Sequence, residues 1–286
     1  MKVIIDGNNV CHIVNYGMGQ LSNEERRTGV VFGFMKQLLM LSKRMKTNEF
    51  LFCWDSQKSL RKQIYPEYKG NRKNKEKTEQ EEFERQALYD QISEIRRDIL
   101  PELGFNNNFI KTGYEADDLI AYLVLTNPEE EFTIISTDQD LYQILNNQTR
   151  IYNTITKKFI TKKDFVDKFN LDPVMFREMK AISGCISDNI KGINGVGETT
   201  AAKYLRQDKI SSNLIDKIHQ GQDIIARNRK LTYLPFQKEE YGTLPNLGIS
   251  LTEDSLKLYN FKKLFNQLSF NSFLNEMSSW EQGFKL

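Results

Sequence analysis

Three short apolar runs of this chain each deliver an aspartate at their end: MKVII leads into Asp6, FLFCW into Asp55 and FTIIST into Asp138. Runs of β-branched and aromatic residues this brief are too short for a core helix and read as strands buried on both faces. The pattern predicts strands at 2–5, 50–54, 108–111 and 132–136, with helical periodicity at about 23–46, 80–99 and 115–126 between them. Strands alternating with helices predict an α/β fold whose parallel sheet has right-handed crossovers. Ligands of such sheets collect outside the carboxyl ends of the strands. Asp6, Asp55 and Asp138 all fall there.

Further acids follow in GYEADDLIAYL (Glu115, Asp117, Asp118) and at Asp140. Each group has an ordinary explanation. Asp6 before Gly7, Asn8 and Asn9 is a common way to leave a strand, Asp55-Ser56 is similar, and acids in a first helical turn meet the helix dipole. Asp138-Gln139-Asp140 can cap the next helical turn. Taken together the acids exceed those needs. Carboxylates ~4 Å apart repel by about 4 kcal/mol per pair at an effective dielectric near 20, so converging them needs a compensating cation. Oxygen-only ligation points to Mg²⁺ or Mn²⁺ over zinc.

The chain has 286 residues, enough for one large domain or two unequal ones, and the reading favours a catalytic body with a C-terminal extension. Net charge is +2, which says little about partners. Its distribution says more. Lys58, Arg61, Lys62, Lys69, Arg72, Lys73, Lys75 and Lys77 crowd one segment, opposed there only by Glu67 and Glu76. A charge run is usually a solvated loop. Here Tyr65 and Tyr68 interleave with the cations and offer bases a stacking face, which favours contact with nucleic acid and, beside a carboxylate cluster, phosphodiester cleavage. A polar insertion of that length is functional or disordered. Cys11, Cys53 and Cys185 are too few and too scattered for a disulfide framework, and no run reaches a membrane span or a signal sequence. The expectation is a soluble cytoplasmic protein with no membrane partner.

After residue 150 the sequence predicts a hairpin (RIYNTI, KKFI), a capping box at Thr161 and Asp164, and a helix at about 173–184 burying Val174, Met175, Met179 and Ile182. Gly192, Gly195 and Gly197 then break the helix and permit positive φ. A glycine turn at a helix start presents free N–H groups to a phosphate, with Lys191 and Lys203 adding charge; an ordinary interhelical turn is the alternative. His12 and His219 read as structural, and Cys53 as core.

VIIDGNN, FCWDS, YPEYKGNR, GYEADD, IISTDQDL, SDNIKGINGVGETTA and FNSFL, in this order over nearly the whole chain, resemble the flap endonucleases, the structure-specific 5′ nucleases, and among them the bacteriophage members and the 5′-nuclease domain of bacterial DNA polymerase I. The resemblance implies a PIN-like nuclease domain at 1–172, an α/β body with a mostly parallel central sheet flanked by helices, and a helical arch at about 56–100. A helix–three-turn–helix DNA-binding region at 173–286 would follow, its last helices packing on the nuclease body. It implies that Asp6, Asp55, Glu115, Asp117 and Asp118 hold or orient a first Mg²⁺, and Asp138, Asp140 and Asp188 a second, with Mn²⁺ able to substitute. Lys69 and Arg72 match catalytic arch residues, and Tyr68 an aromatic that stacks on a terminal base. Arg61, Lys62, Tyr65, Lys191, Gly192, Gly195, Gly197 and Lys203 would contact nucleic acid, with K⁺ at the glycine turn. The implied partner is DNA bearing 5′ flaps, nicks or free 5′ ends, extending to RNA–DNA hybrid and to replication proteins. A monomer is implied, in the host cytoplasm if the source is viral.

One departure stands out. The family pattern G-D-x-x-D-N reads Gly184-Cys185-Ile186-Ser187-Asp188-Asn189 here, so a thiol replaces a carboxylate expected near the second metal. A soft ligand predicts weaker Mg²⁺ binding and a shifted balance between exonuclease and endonuclease action. It also motivates a rival reading, a DNA-junction binder with impaired catalysis. A compact PIN-type ribonuclease is a third, which would need neither the basic insertion nor the glycine turn.

Overall fold

Alternate residues of the central strands serve opposite cores. Val3, Ile5, Phe50, Phe52 and Trp54 enter one core, while Ile4, Leu51, Cys53 and Ile134 enter the other. That is the period-two consequence of a pleated strand covered on both faces. The computed structural model describes residues 1–23, 26–72, 78–237 and 244–285, without the side chain of Arg72. Lys73, Lys75, Glu76 and Lys77 of the basic run therefore lie outside the described residues.

The sheet consists of β1 (Lys2–Asp6), β2 (Phe50–Trp54), β3 (Asn108–Ile110), β4 (Phe132–Ile135), β5 (Thr149–Asn153) and β6 (Lys158–Ile160), in the spatial order β3-β2-β1-β4-β5-β6. Five strands run parallel, and β6 pairs antiparallel with β5 through the hairpin expected after residue 150, so the sheet is mostly parallel, as the sequence implies. The hairpin needs no crossover. The chain builds outward from β1 to β3 and then returns to the other side of β1. This reversal makes β1 and β4 the switch point where ligands of open sheets bind.

One face carries α1 (Gly7–Met18), α2 (Gly29–Met45) and α3 (Glu79–Glu94). The other carries α4 (Ala116–Thr126), α5 (Lys162–Phe169), α6 (Phe176–Ser183), α7 (Glu198–Leu205), α8 (Ser212–Gln220) and α9 (Gln222–Thr232). The chain then returns to the first face with α10 (Leu258–Gln267), α11 (Asn271–Asn275) and α12 (Met277–Phe284). Phe261, Phe265, Trp280 and Phe284 join Phe50, Phe52 and Phe105 in a single core. Each such side chain contributes about 1.5–3 kcal/mol on burial, enough to bind the chain's last helices firmly to the sheet. Among the described residues no helix is long and apolar enough to cross a membrane.

Several local expectations change. Residues 7–18 form a helix that the Gly-Asn-Asn start concealed: Asp6 caps it by accepting from the backbone N–H of Asn9 at 3.2 Å, and Val10, Cys11 and Val14 line its buried side. The helix predicted over 23–46 begins only at Gly29, because Ser22 and Asn23 pair with Arg27 and Arg26 in a small hairpin. Helix α3 starts in a capping box of Thr78 and Glu81 and continues through a π turn at Ile95–Ile99. Pro173 opens a 3₁₀ turn ahead of α6, which rotates Val174 out to solvent at 39 % exposure and leaves Phe176, Met179, Ala181 and Ile182 as the buried side. The capping box of Thr161 and Asp164 forms as the sequence predicts.

Candidate active site

Because β2, β1 and β4 are neighbours, their ends place Asp6, Asp55 and Asp138 side by side. Asp6 is level with Cys53, two residues before Asp55, and Ile5 is level with Ile135, three before Asp138. The start of α4 closes against them: the backbone N–H of Ala116 donates to Asp55 Oδ1 at 2.8 Å, bringing Glu115 and Asp117 alongside. Ser136 Oγ donates to Asp6 Oδ2 at 2.8 Å, and the N–H of Asp140 to Asp138 Oδ1 at 2.8 Å.

The carboxyl groups sit in one another's field. Burial, and then the charge of Asp55, push the Asp6 carboxyl up to about 7. Desolvation of the carboxyl group by surrounding protein and the Asp140 charge push Asp138 up to about 6, although the residue as a whole stays exposed. Desolvation likewise raises Asp55, also an exposed residue, and desolvation with the Asp118 charge raises Asp117. Burial also acts on Glu115, but Arg61 and Lys69 outweigh it and hold this carboxyl below its usual range. Lys69 Nζ lies 2.7 Å from Glu115 Oε2. Its charge is felt by Asp55, Glu115, Asp117, Asp138 and Asp188 alike. Burial opposes the Lys69 charge; the surrounding carboxylates more than offset this and hold its pKa above the ordinary value. Lys69 thus sits at the focus of the acids. It does so with φ +53°, a left-handed backbone costing on the order of 1 kcal/mol for a side-chain-bearing residue. Its N–H donates to the Asp188 carbonyl at 2.8 Å, which holds that conformation.

Three expectations are corrected. Asp118 does not face the cluster: it is fully buried, accepting from Arg61 Nη1 at 2.7 Å and Nη2 at 2.8 Å and from the N–H groups of Glu115 at 2.9 Å and Phe236 at 2.7 Å. With its lone pairs so engaged it orients α4 and has no oxygen to offer a metal. Arg61, expected at nucleic acid, is 2 % exposed, its Nε donating to the Leu231 carbonyl at 2.9 Å. Tyr68, expected to stack on a base, is also 2 % exposed and donates to Glu115 Oε2 at 2.8 Å. The face of Tyr65 carries the Arg227 guanidinium at 4.8 Å. Lys62 is half-buried, and Lys191 and Lys203 are exposed. Arg72 ends a 3₁₀ turn beside the site.

Beside Asp138, the side chains of Asp140, Cys185 and Asp188 have ligand atoms within 4.8 Å of one another. The glycines divide by role. Gly195 alone of the three has positive φ, at +80°, and it is exposed together with Gly197, the N-cap of α7. Gly192 instead permits close packing, since a Cβ there would lie 2.1 Å from the Ser183 carbonyl carbon. The sequence reading missed two residues here. Lys217 Nζ reaches to 3.9 Å from where a Cβ on Gly195 would stand, and Lys180 pairs with Asp140 at 3.2 Å. No local pattern marks them, because each meets its partner only through the fold. A cavity of about 920 Å³, lined by Lys2, Glu49 and Glu130, opens at the amino ends of the strands, away from the acids.

The model for the 5′–3′ exonuclease N-terminal, resolvase-like domain matches residues 1–170. The chain belongs to the 5′–3′ exonuclease family. Membership carries the reaction class: it is a 5′ nuclease, an enzyme that hydrolyses phosphodiester bonds. The 5′-3′ exonuclease of Buchnera aphidicola subsp. Schizaphis graminum is 29 % identical over 270 residues, covering 88 % of this chain and 89 % of that protein. DNA polymerase I of Bacillus subtilis is 28 % identical over 295 residues, covering 96 % of this chain, which spans only 32 % of the polymerase. Among solved structures, the bacteriophage T5 flap endonuclease in a pseudo-enzyme-product complex with DNA and metal ions superposes with TM-score 0.69 at 23 % identity, covering 80 % of this chain and 88 % of that one. That likeness establishes the α/β fold.

Proposed function

We propose that this nuclease recognises DNA by structure, cutting at 5′ flaps and free 5′ ends, and removing RNA primers, by two-metal hydrolysis that leaves 5′ phosphates. The observation that carries the reading is the ammonium of Lys69, 2.7 Å from Glu115 and within the field of Asp117 and Asp188, beside the acids at the carboxyl ends of the strands. Asp6, Asp55, Glu115 and Asp117 offer oxygen alone and repel one another, the donor set that suits Mg²⁺ or Mn²⁺. Asp138, Asp140 and Asp188 would hold a second cation. When bound, such cations supply Lewis acidity to the attacking water and the leaving 3′ oxygen. Lys69 adds positive charge where negative charge develops, an effect commonly worth several kcal/mol.

Selectivity then comes from shape. The exposed Gly195 and Gly197, with Lys203 and Lys217 nearby, offer backbone N–H groups and charge to the phosphates of a duplex. In this reading the segment around Lys69, which reaches Glu115, borders the path of the single-stranded 5′ end. A junction satisfies both, base sequence matters little, and affinity falls steeply with salt.

The test uses an end-labelled 5′ flap and a nicked RNA–DNA hybrid, each with and without Mg²⁺. Cation-dependent products cut near the junction are expected, and deleting 58–79 abolishes cutting of threaded flaps. Tight flap binding with no cleavage in either Mg²⁺ or Mn²⁺ overturns the reading in favour of a junction binder; single-strand cutting that survives the deletion favours a ribonuclease.

A further inference from the structure

Asp140, Cys185 and Asp188 bring two carboxylates and a thiol together from two pieces of chain: the 3₁₀ turn Gln139–Ile144, and the run in which the short strand Gly184–Cys185 passes directly into the 3₁₀ turn Ile186–Asp188. Cys185 is 6 % exposed and Asp188 9 %, so these donors are shielded from bulk water. Lys180 Nζ lies 3.2 Å from Asp140 Oδ1 and 3.2 Å from Glu198 Oε1, which partly balances the carboxylate charge at the cluster's edge. Cys185 Sγ sits 3.0 Å from Ser187 Oγ, a hydroxyl that can donate to a thiolate.

This donor set does not fit Mg²⁺ well. Mg²⁺ demands a near-octahedral shell of oxygens at roughly 2.0–2.1 Å, and a sulfur donor replaces one of them poorly. It does fit borderline and soft cations, which accept thiolate and carboxylate together in a four-coordinate shell with a metal–sulfur bond of about 2.3 Å for zinc. Tetrahedral donors at such bond lengths stand ~3.3–3.8 Å apart, so closing the cluster takes side-chain movements of only about 1 Å.

We propose that Asp140, Cys185 and Asp188 form a mixed thiolate–carboxylate site that selects a thiophilic divalent cation of the zinc and cadmium class over Mg²⁺, while Asp6, Asp55, Glu115 and Asp117 keep the hard ion. The inference rests on the nuclease reading for what the bound ion does, and on the donor chemistry alone for which ion binds. The metal–sulfur bond forms as the S–H bond breaks, and the proton passes to solvent. Water completes the shell.

Cadmium titrated into the full chain without nucleic acid tests this through the thiolate-to-cadmium charge-transfer absorption in the ultraviolet. The native chain is expected to develop the band at one equivalent and to keep it against ~100-fold excess Mg²⁺. Cys185→Ser and Cys185→Asp lose the band, and Cys185→Asp binds Mg²⁺ more tightly by calorimetry. Asp140→Asn weakens cadmium binding about tenfold or more. Absence of the band, its persistence in Cys185→Ser, or its loss to equimolar Mg²⁺ overturns the proposal. The band is read without substrate, so its failure leaves Mg²⁺-dependent cleavage standing. Conversely, a chain that shows the band and cuts nothing refutes only the nuclease reading.

Discussion

Arg61 is the most consequential single side chain away from the chemistry. Its guanidinium spans the basic insertion, helix α4 through Asp118 and helix α9 through the Leu231 carbonyl, and the pair is 2 % and 0 % exposed at the side chain. In Arg61→Met the carboxylate of Asp118 loses both charged donors and keeps only the backbone N–H groups of Glu115 and Phe236. Leaving such a charge unpaired costs about 3–5 kcal/mol. The two remaining N–H donors favour the lower end of that range, and the orphaned Leu231 carbonyl adds ~1 kcal/mol. A loss of about 4 kcal/mol is expected, a large fraction of the 5–15 kcal/mol that holds a typical domain. Urea unfolding monitored by circular dichroism measures it. Combining Arg61→Met with Asp118→Asn neutralises the stranded acid and recovers roughly 1–3 kcal/mol. If Arg61→Met loses less than about 1 kcal/mol, or if the two substitutions simply add, the buried-pair argument is wrong. The sequence expectation of a nucleic-acid contact makes the opposite forecast: unchanged stability, weaker DNA binding and a shallower salt dependence.

Lys69→Ala removes the positive charge at the focus of the acids and is expected to lower kcat by about 10²–10³ with a much smaller change in KM; a tenfold or smaller loss in single-turnover cleavage argues against its role. Asp6 is held near 7 against 3.8 for the ordinary side chain and Asp138 near 6, so between those values the folded chain binds more protons than the unfolded one. Stability of the cation-free protein therefore falls as pH rises from about 4 towards 7, with the lowered carboxyls of Glu115, Asp164 and Asp172 opposing the trend; urea midpoints in EDTA at about pH 5 and pH 7.5 check the sign, and a higher midpoint at the upper pH contradicts it. Gly195→Ala imposes a side chain on φ +80° and is expected to cost on the order of 1–2 kcal/mol and to weaken duplex binding, whereas an unchanged flap affinity argues against a phosphate grip at this turn.

The central strands were legible because short, doubly buried β runs leave an unmistakable pattern, and their carboxyl ends name Asp6, Asp55 and Asp138 directly. Legibility failed where adjacent residues part company. Asp117 and Asp118 are neighbours of one chemical type, yet a helix turns about 100° between them. One carboxylate therefore faces the acids and the other the interior. Only a partner 57 positions away decides which, and Arg61 sits in a basic stretch whose local composition speaks for solvent or nucleic acid. Tyr68 misleads for the same reason: aromatic residues among cations suit base stacking, but this hydroxyl is committed to Glu115. Helix α1 was hidden by weak helix formers at its start. The aspartate that ends β1 is also its cap, so one residue serves two elements.

The seam between the insertion and the glycine region gives structural selectivity a physical basis. Lys69 N–H donates to the Asp188 carbonyl at 2.8 Å, Asn189 Nδ2 to the Glu67 carbonyl at 2.8 Å, and Asn71 Nδ2 to the Ile186 carbonyl at 3.1 Å. At about 0.5–1.5 kcal/mol each, these three bonds are comparable to the strain of the left-handed backbone at Lys69. Residues 186–189 also directly precede the strand that leads into the glycine turn. The position of the Lys69 ammonium therefore depends on the loop that joins it to the proposed duplex grip. On the proposed reading, occupying that grip and admitting a single strand past Lys69 would act on the same few hydrogen bonds. A chain wired in this way would favour substrates that engage both elements at once, which is the property of a junction.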